Sequence, residues 1–174
     1  MPLPRGRVHG GSSSVNGMIY MRGHSGDYDG WAQMGARGWS YADVLPYFRK
    51  METSWRGDGP YHGGDGPITV TELRDPILMY DPLAAAAQRA GVPVTDDITG
   101  TAAEGIARAE VSTRNGARAS TARTYLAQAL GRPNLTVETE APTSRVMIEN
   151  GRAVGVDYIC DGRTQRVHAA REFV

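Results

Sequence analysis

Two dipeptides in the last third of the chain, Asn150-Gly151 and Asp161-Gly162, constrain the fold more than any other feature. Each has the residue types that tolerate positive backbone φ, as a two-residue hairpin turn requires, and so each forces the chain to reverse on itself. They separate three β-type runs, Val146 to Glu149, Ala153 to Cys160 and Gln165 to Ala169, which predicts a three-stranded antiparallel meander. Along the whole chain glycine and proline set the limits: 22 glycines and 10 prolines in 174 residues cut it into short elements and disfavour a long helical bundle.

Within those limits three helices are predicted beyond Ser40. Ser40 with Asp43 forms a capping box, and Val44, Leu45, Phe48 and Met51 follow at helical spacing, so a helix over 41–51 is expected, kinked or shortened by Pro46. Asp81 as N-cap, Pro82 at the first helical position and Gly91 as the stop predict a helix over 83–90. Ser120 ahead of Thr121, with Gly131 and Pro133 beyond, predicts another over 121–130. A strand is expected from Ile68, after the turn-rich segment 57–66. The opening segment, Pro4 to Gly17, reads as a loop whose serines cap a short helix in the more apolar Met18-Ile19-Tyr20-Met21.

Nineteen basic and nineteen acidic residues balance to a formal charge of zero, which argues against nucleic acid as a partner. No apolar run approaches the roughly 18 residues of a spanning helix, and a soluble, cytoplasmic protein is expected. Cys160 is the only cysteine, read as a small buried residue rather than a nucleophile. The four histidines, at positions 9, 24, 62 and 168, have no metal-ligand spacing, so no metal site is expected. His9 reads as a surface or packing histidine. Asp27, Asp29 and Trp31 read as a capped surface helix with one buried aromatic. Arg114, Arg118 and Arg123 read as a solvated basic face.

The stretch Arg5-Gly6-Arg7-Val8-His9-Gly10-Gly11-Ser12-Ser13-Ser14-Val15-Asn16-Gly17 closely resembles the first signature of the glucose-methanol-choline (GMC) oxidoreductases. Met21-Arg22-Gly23, Asp27-Tyr28-Asp29 with Trp31, Gly38-Trp39-Ser40-Tyr41, Tyr61-His62-Gly63, Asp65-Gly66-Pro67, Arg132-Pro133-Asn134-Leu135-Thr136-Val137 and Ala153-Val154-Gly155-Val156 continue the resemblance in order. It leans to the choline dehydrogenase side of the family. His9, Asp97-Ile98-Thr99-Gly100 and Thr143 depart from the usual pattern.

The resemblance implies an α/β fold: part of a Rossmann-like FAD-binding domain, over 1–50 and 111–174, and part of a substrate-binding domain over 51–110. It implies FAD as cofactor, a small-molecule alcohol as substrate, and hydride transfer from alcohol to flavin, with the electron acceptor unspecified. The residues it places at the cofactor are Gly10, Gly11, Ser12, Ser13, Asn16, Gly17, Ile19 and Thr143. Neither the G-x-G-x-x-G turn nor the family's late histidine is in this sequence, and the chain stops at Glu172-Phe173-Val174 as a new apolar run begins. An internal fragment, inactive alone, with no catalytic residue of its own is therefore expected. The rival readings are a noncatalytic binding module that retains the scaffold and a nonfunctional truncated product.

Overall fold

The computed structural model describes residues 2–74, 79–100 and 104–173; Val174, the last of the final apolar run, lies outside them. The chain divides into two units, Met1–Leu130 and Gly131–Val174, and helix and strand are mixed within the whole.

The N-terminal unit opens with a 3-10 helix, Gly11–Ser14, entered through Gly10 at φ +85°. Met18 to Met21 is not the helix the sequence suggested: Met18 turns at φ +62° and the residues after it pair as a strand. Tyr20 donates its backbone N–H to the Glu110 carbonyl at 2.7 Å, Ser112 N–H reaches the Met18 carbonyl at 2.9 Å, and Ile19 bridges Val111. Those partners lie some ninety residues away, and their ladder outweighs local preference.

Helix α1 (Ser25–Gln33) is capped by His24 and Asp27, and α2 (Tyr41–Met51) by Ser40 and Asp43, each box reciprocal. Asp29 ties the two together by accepting from the Tyr41 N–H at 2.9 Å. Tyr28 packs its ring against Trp31, Tyr41 and Phe48. Trp31 is not buried, contrary to expectation: it is 44% exposed and stacks edge-on to Trp39. Helix α2 is not shortened by Pro46 and runs on to Met51, where β1 (Glu52–Ser54) begins directly. Strand β1 pairs in parallel with β2 (Ile68–Glu72), which pairs antiparallel with β3 (Glu110–Val111).

Helix α3 spans Tyr80–Arg89, beginning earlier than predicted. Met79, in a left-handed conformation, precedes it, and Asp81 lies inside the first turn rather than at the cap. Pro82 then occupies the third helical position, where its missing N–H is still one that no helical carbonyl needs. Gly91, at φ +76°, follows as the expected stop.

The short hairpin β4 (Thr113–Arg114) to β5 (Ala117–Arg118) turns on Asn115 and Gly116, both at positive φ. It is a third turn of the Asn-Gly kind. The predicted helix after Ser120 forms, but its first part, Ala122–Leu126, is wound as a π-helix before α4 (Ala127–Ala129). Leu126 N–H bonds the Thr121 carbonyl five residues back, while the Thr124 hydroxyl caps the Ser120 carbonyl at 3.0 Å.

The C-terminal unit is the meander: β6 (Thr143–Glu149), β7 (Arg152–Cys160) and β8 (Arg163–His168), antiparallel in that order. Asn150 and Gly151 have φ of 50° and 77°, Asp161 and Gly162 of 48° and 71°, the conformation such turns demand. Asp157 is clasped by Arg166 of the neighbouring strand through two hydrogen bonds of 2.7 and 3.1 Å. Met147 and Val156 are the buried apolar side chains here. Cys160 is only partly buried, with Sγ 3.8 Å from Glu138 Oε1, because its strand position faces a polar segment rather than a core.

A Val side chain at position 151 would be forced into the left-handed region, at a cost of about 1–2 kcal/mol. Gly151→Val is expected to lower the midpoint of thermal unfolding followed by circular dichroism, although nothing lies within 4 Å of the new Cβ. An unchanged midpoint would refute the turn assignment.

Candidate functional site

Two constellations stand out in the N-terminal unit: a self-braced glycine-serine loop and a buried cluster of charges.

The loop uses its three serine hydroxyls on itself. Ser12 Oγ accepts the Gly6 N–H at 3.2 Å, Ser13 Oγ donates to the Gly10 carbonyl at 2.5 Å, and Ser14 Oγ donates to the His9 carbonyl at 2.7 Å. Ser13 Oγ also accepts the Thr121 N–H at 3.0 Å, and Thr121 Oγ1 reaches the Gly10 carbonyl at 3.3 Å. The serine hydroxyls hold the bend, and what the loop presents is main chain.

Asn16 Oδ1 accepts the Met18 N–H at 3.0 Å and an Arg118 Nη1 hydrogen at 2.8 Å, so the donors it has to spare are on Nδ2. Met18 is thereby held at φ +62°. Around the bend Val8, Val15, Ile19 and Met21 are each more than half exposed, an apolar rim beside the polar backbone.

Gly10, Gly11, Ser12, Ser13, Asn16, Gly17 and Ile19 thus lie in one continuous stretch of the N-terminal unit. Thr143 is in the C-terminal unit, exposed at the first residue of β6 and paired with Tyr158. Arg118 is no solvated residue: its guanidinium also donates to the Ser13 carbonyl at 3.1 Å. His9 is exposed, as expected.

The charge cluster centres on Glu52, which has no solvent exposure. Its Oε1 lies 2.7 Å from Arg22 Nη2, 3.1 Å from His62 Nδ1 and 3.0 Å from the Gly63 N–H. The other ring nitrogen of His62 is 3.0 Å from Asp97 Oδ2. Arg22 Nη1 donates onward to the Tyr61 carbonyl at 2.6 Å. A cleft of about 350 Å³ opens beside Arg22, lined also by His24, Tyr41, Tyr61 and Thr99.

Burial alone would push the Glu52 carboxyl up, but its hydrogen bonds to His62, Arg22 and the Gly63 amide hold it down at about 2. The bond to Glu52 raises His62 above its ordinary value against the opposing effect of burial, and Asp97 adds to the rise. Asp97, despite burial, is held low by His62. Burial raises the Tyr20 hydroxyl, and the Glu52 charge raises it further. Glu110 is a second buried carboxylate, accepting from Trp55 Nε1 and Arg56 Nε, both at 2.9 Å.

None of these pairings was read from the sequence. His62 and Glu52 are ten residues apart, and Asp97 thirty-five from His62, so no helical or strand period links them. Among the described residues no group of three metal-ligating side chains is assembled, and no helix is long and apolar enough to cross a membrane.

The sequence profile of the GMC oxidoreductases matches residues 1–174. An oxygen-dependent choline dehydrogenase of Photobacterium profundum is 46% identical over 171 residues, covering 97% of this chain and 30% of its own length. The crystal structure of pyridoxine 4-oxidase from Mesorbium loti superposes with a TM-score of 0.84 at 28% identity, covering 94% of this chain and 33% of the other. An FAD-dependent oxidoreductase from Chaetomium thermophilum gives a TM-score of 0.84 at 27% identity, covering 95% of this chain and 31% of the other. The chain therefore spans about a third of the length of the proteins it matches.

The cluster predicts a stability window. Stability drawn from the ionised Glu52 is present above its ordinary 4.5 and lost as pH falls toward about 2. That drawn from protonated His62 is full below its ordinary 6.5 and lost as pH rises through the elevated folded value. Thermal midpoints should be highest from about 4.5 to 6.5 and decline on both sides. His62→Gln should lower the midpoint at pH 6 and flatten the alkaline decline; a parallel decline in both proteins would contradict the assignment.

Proposed function

Because the chain belongs to the GMC oxidoreductase family, we propose that it supplies part of the FAD site of an enzyme that oxidises an alcohol, with the Gly10 to Gly17 loop turned to the flavin. When bound, FAD would supply the hydride acceptor for the alcohol carbon, and with the hydroxyl proton passed to a general base the alcohol would become an aldehyde or ketone. The chain's own residues bind and orient. The bend at Gly10 and Gly11 bares main chain, Asn16 Nδ2 faces outward as a donor, and the apolar rim of Val8, Val15 and Ile19 suits a planar ring system. Likeness to the choline dehydrogenase of Photobacterium profundum favours a choline-type alcohol.

The segments divide accordingly. We assign 1–50 and 111–174 to a Rossmann-like flavin-binding portion and 51–110 to the substrate-binding portion. In support, the first segment is bonded to the start of the third through Ile19 with Val111, Met18 with Ser112, and Ser13 and Asn16 with Arg118.

One observation carries the flavin reading: Gly17 is a glycine that the chain itself does not need. Gly10 has φ +85°, and a Cβ there would sit 2.6 Å from Ser14 Oγ and 3.1 Å from Ala122, so the fold alone requires it. Gly17 has no left-handed backbone, and a Cβ there would meet nothing within 4 Å. A bare position in open space, next to donors, fits a ligand that approaches the main chain closely.

Gly17→Leu should therefore leave the thermal midpoint of the apoprotein unchanged and weaken FAD binding at least about tenfold, a loss of about 1.4 kcal/mol, as followed by quenching of flavin fluorescence. Gly10→Leu should lower the midpoint itself. Full retention of FAD by Gly17→Leu would overturn the reading.

A further inference from the structure

We propose that Arg118 is the positioning residue of this loop: its guanidinium fixes which face of Asn16, and which stretch of main chain, is turned to the cofactor. The inference rests on the flavin reading of the loop and adds to it a residue far away in sequence.

Arg118 Nη1 donates to two acceptors at once, the Ser13 carbonyl at 3.1 Å and Asn16 Oδ1 at 2.8 Å, across 105 and 102 residues. The pair grips the exit of the bend, one acceptor in the second half of the 3-10 helix and the other two residues beyond its end. A primary amide can reverse its oxygen and nitrogen at little steric cost, and only its bonding partners decide which faces where. With the Met18 N–H as sole partner, Asn16 would be held by one neutral hydrogen bond on an exposed loop. A cationic donor beside it makes the oxygen-inward orientation strongly preferred, because such bonds are about twice as strong as neutral ones and a guanidinium cannot accept. Nδ2 is then presented outward.

Arg118 is itself well placed to hold. It lies at the end of the β4–β5 hairpin, whose Asn115-Gly116 turn sets the register Thr113 to Arg118. Ala119 N–H bonds the Ser112 carbonyl at 3.0 Å, and Ser112 N–H bonds the Met18 carbonyl at 2.9 Å, so hairpin and loop share one strand as anchor. Three residues beyond Arg118, Thr121 grips Ser13 and Gly10. Loop shape is therefore already braced by Thr121 and the serines, which leaves Arg118 to set orientation rather than to hold the fold.

The test uses the full-length holoprotein, stripped of FAD and titrated with FAD, with the thermal midpoint of each apoprotein and the visible circular dichroism of each flavin complex. For Arg118→Met we expect FAD bound about 10- to 100-fold more weakly, an altered visible dichroism, and an apoprotein midpoint unchanged from that of the unsubstituted protein. Arg118→Lys, whose ammonium has donors enough for both acceptors, should recover most of the affinity. Arg118→Gln, neutral and with a single amide to offer, should fall between the two. Equal affinity and dichroism in Arg118→Met would overturn the positioning role. A lowered apoprotein midpoint that Arg118→Lys does not restore would overturn it too, by making Arg118 a folding residue. Failure of the unsubstituted protein to bind FAD would instead remove the flavin reading, and this proposal with it.

Discussion

The N-terminal unit depends on a carboxylate with no access to water. Glu52 begins β1 at the point where α2 ends, and its charge is met by Arg22 from the segment after the glycine loop, by His62 and by the Gly63 amide. A buried charge without such partners costs several kcal/mol, so the cluster is a condition of folding rather than an addition to it. Among the described residues of this unit five apolar side chains are buried, against seven polar or charged ones, and apolar burial alone would not define this packing. Directional bonds to Glu52 and Glu110 do, since each accepts only from donors at fixed places. Through Arg22 the cluster also fixes where the chain leaves the loop.

The loop is built on the same principle at a smaller scale. Its serines and Thr121 satisfy the carbonyls of a bend that would otherwise carry unpaired polar groups, and this frees the outer face of the main chain. A site for a large planar cofactor benefits from such a surface, because donors fixed before binding lose little freedom on binding. The scaffold supplies orientation, and the cofactor would supply the redox chemistry.

What the sequence disclosed follows the range of the forces involved. The meander and helix α2 were legible because Asn150-Gly151, Asp161-Gly162, Ser40 and Asp43 dictate local backbone geometry, whatever lies around them. Asn115-Gly116 carries the same information, but the strands it joins are only two residues long and leave no alternating run beside it. Met18 to Met21 misled because its strand partners, Glu110 and Ser112, are distant. The Glu52 cluster and Arg118 were illegible for a related reason. A residue whose acceptors are main-chain carbonyls, or side chains at no regular spacing, leaves no pattern, and Arg118 looked like a solvated charge until its partners Ser13 and Asn16 were placed. The family signature marked the loop itself but not what braces it.

On the proposed reading, main chain near Gly11 and Gly17 lies against the flavin. The most direct measurement is an experimental structure of the FAD-loaded full-length protein, with the distances from those backbone atoms to the isoalloxazine read from it. Heavy atoms within about 4 Å, the range of van der Waals contact, with Asn16 Nδ2 turned toward the cofactor and Oδ1 toward Arg118, are the predicted result. A flavin bound elsewhere, with the loop facing only solvent or protein, would contradict it.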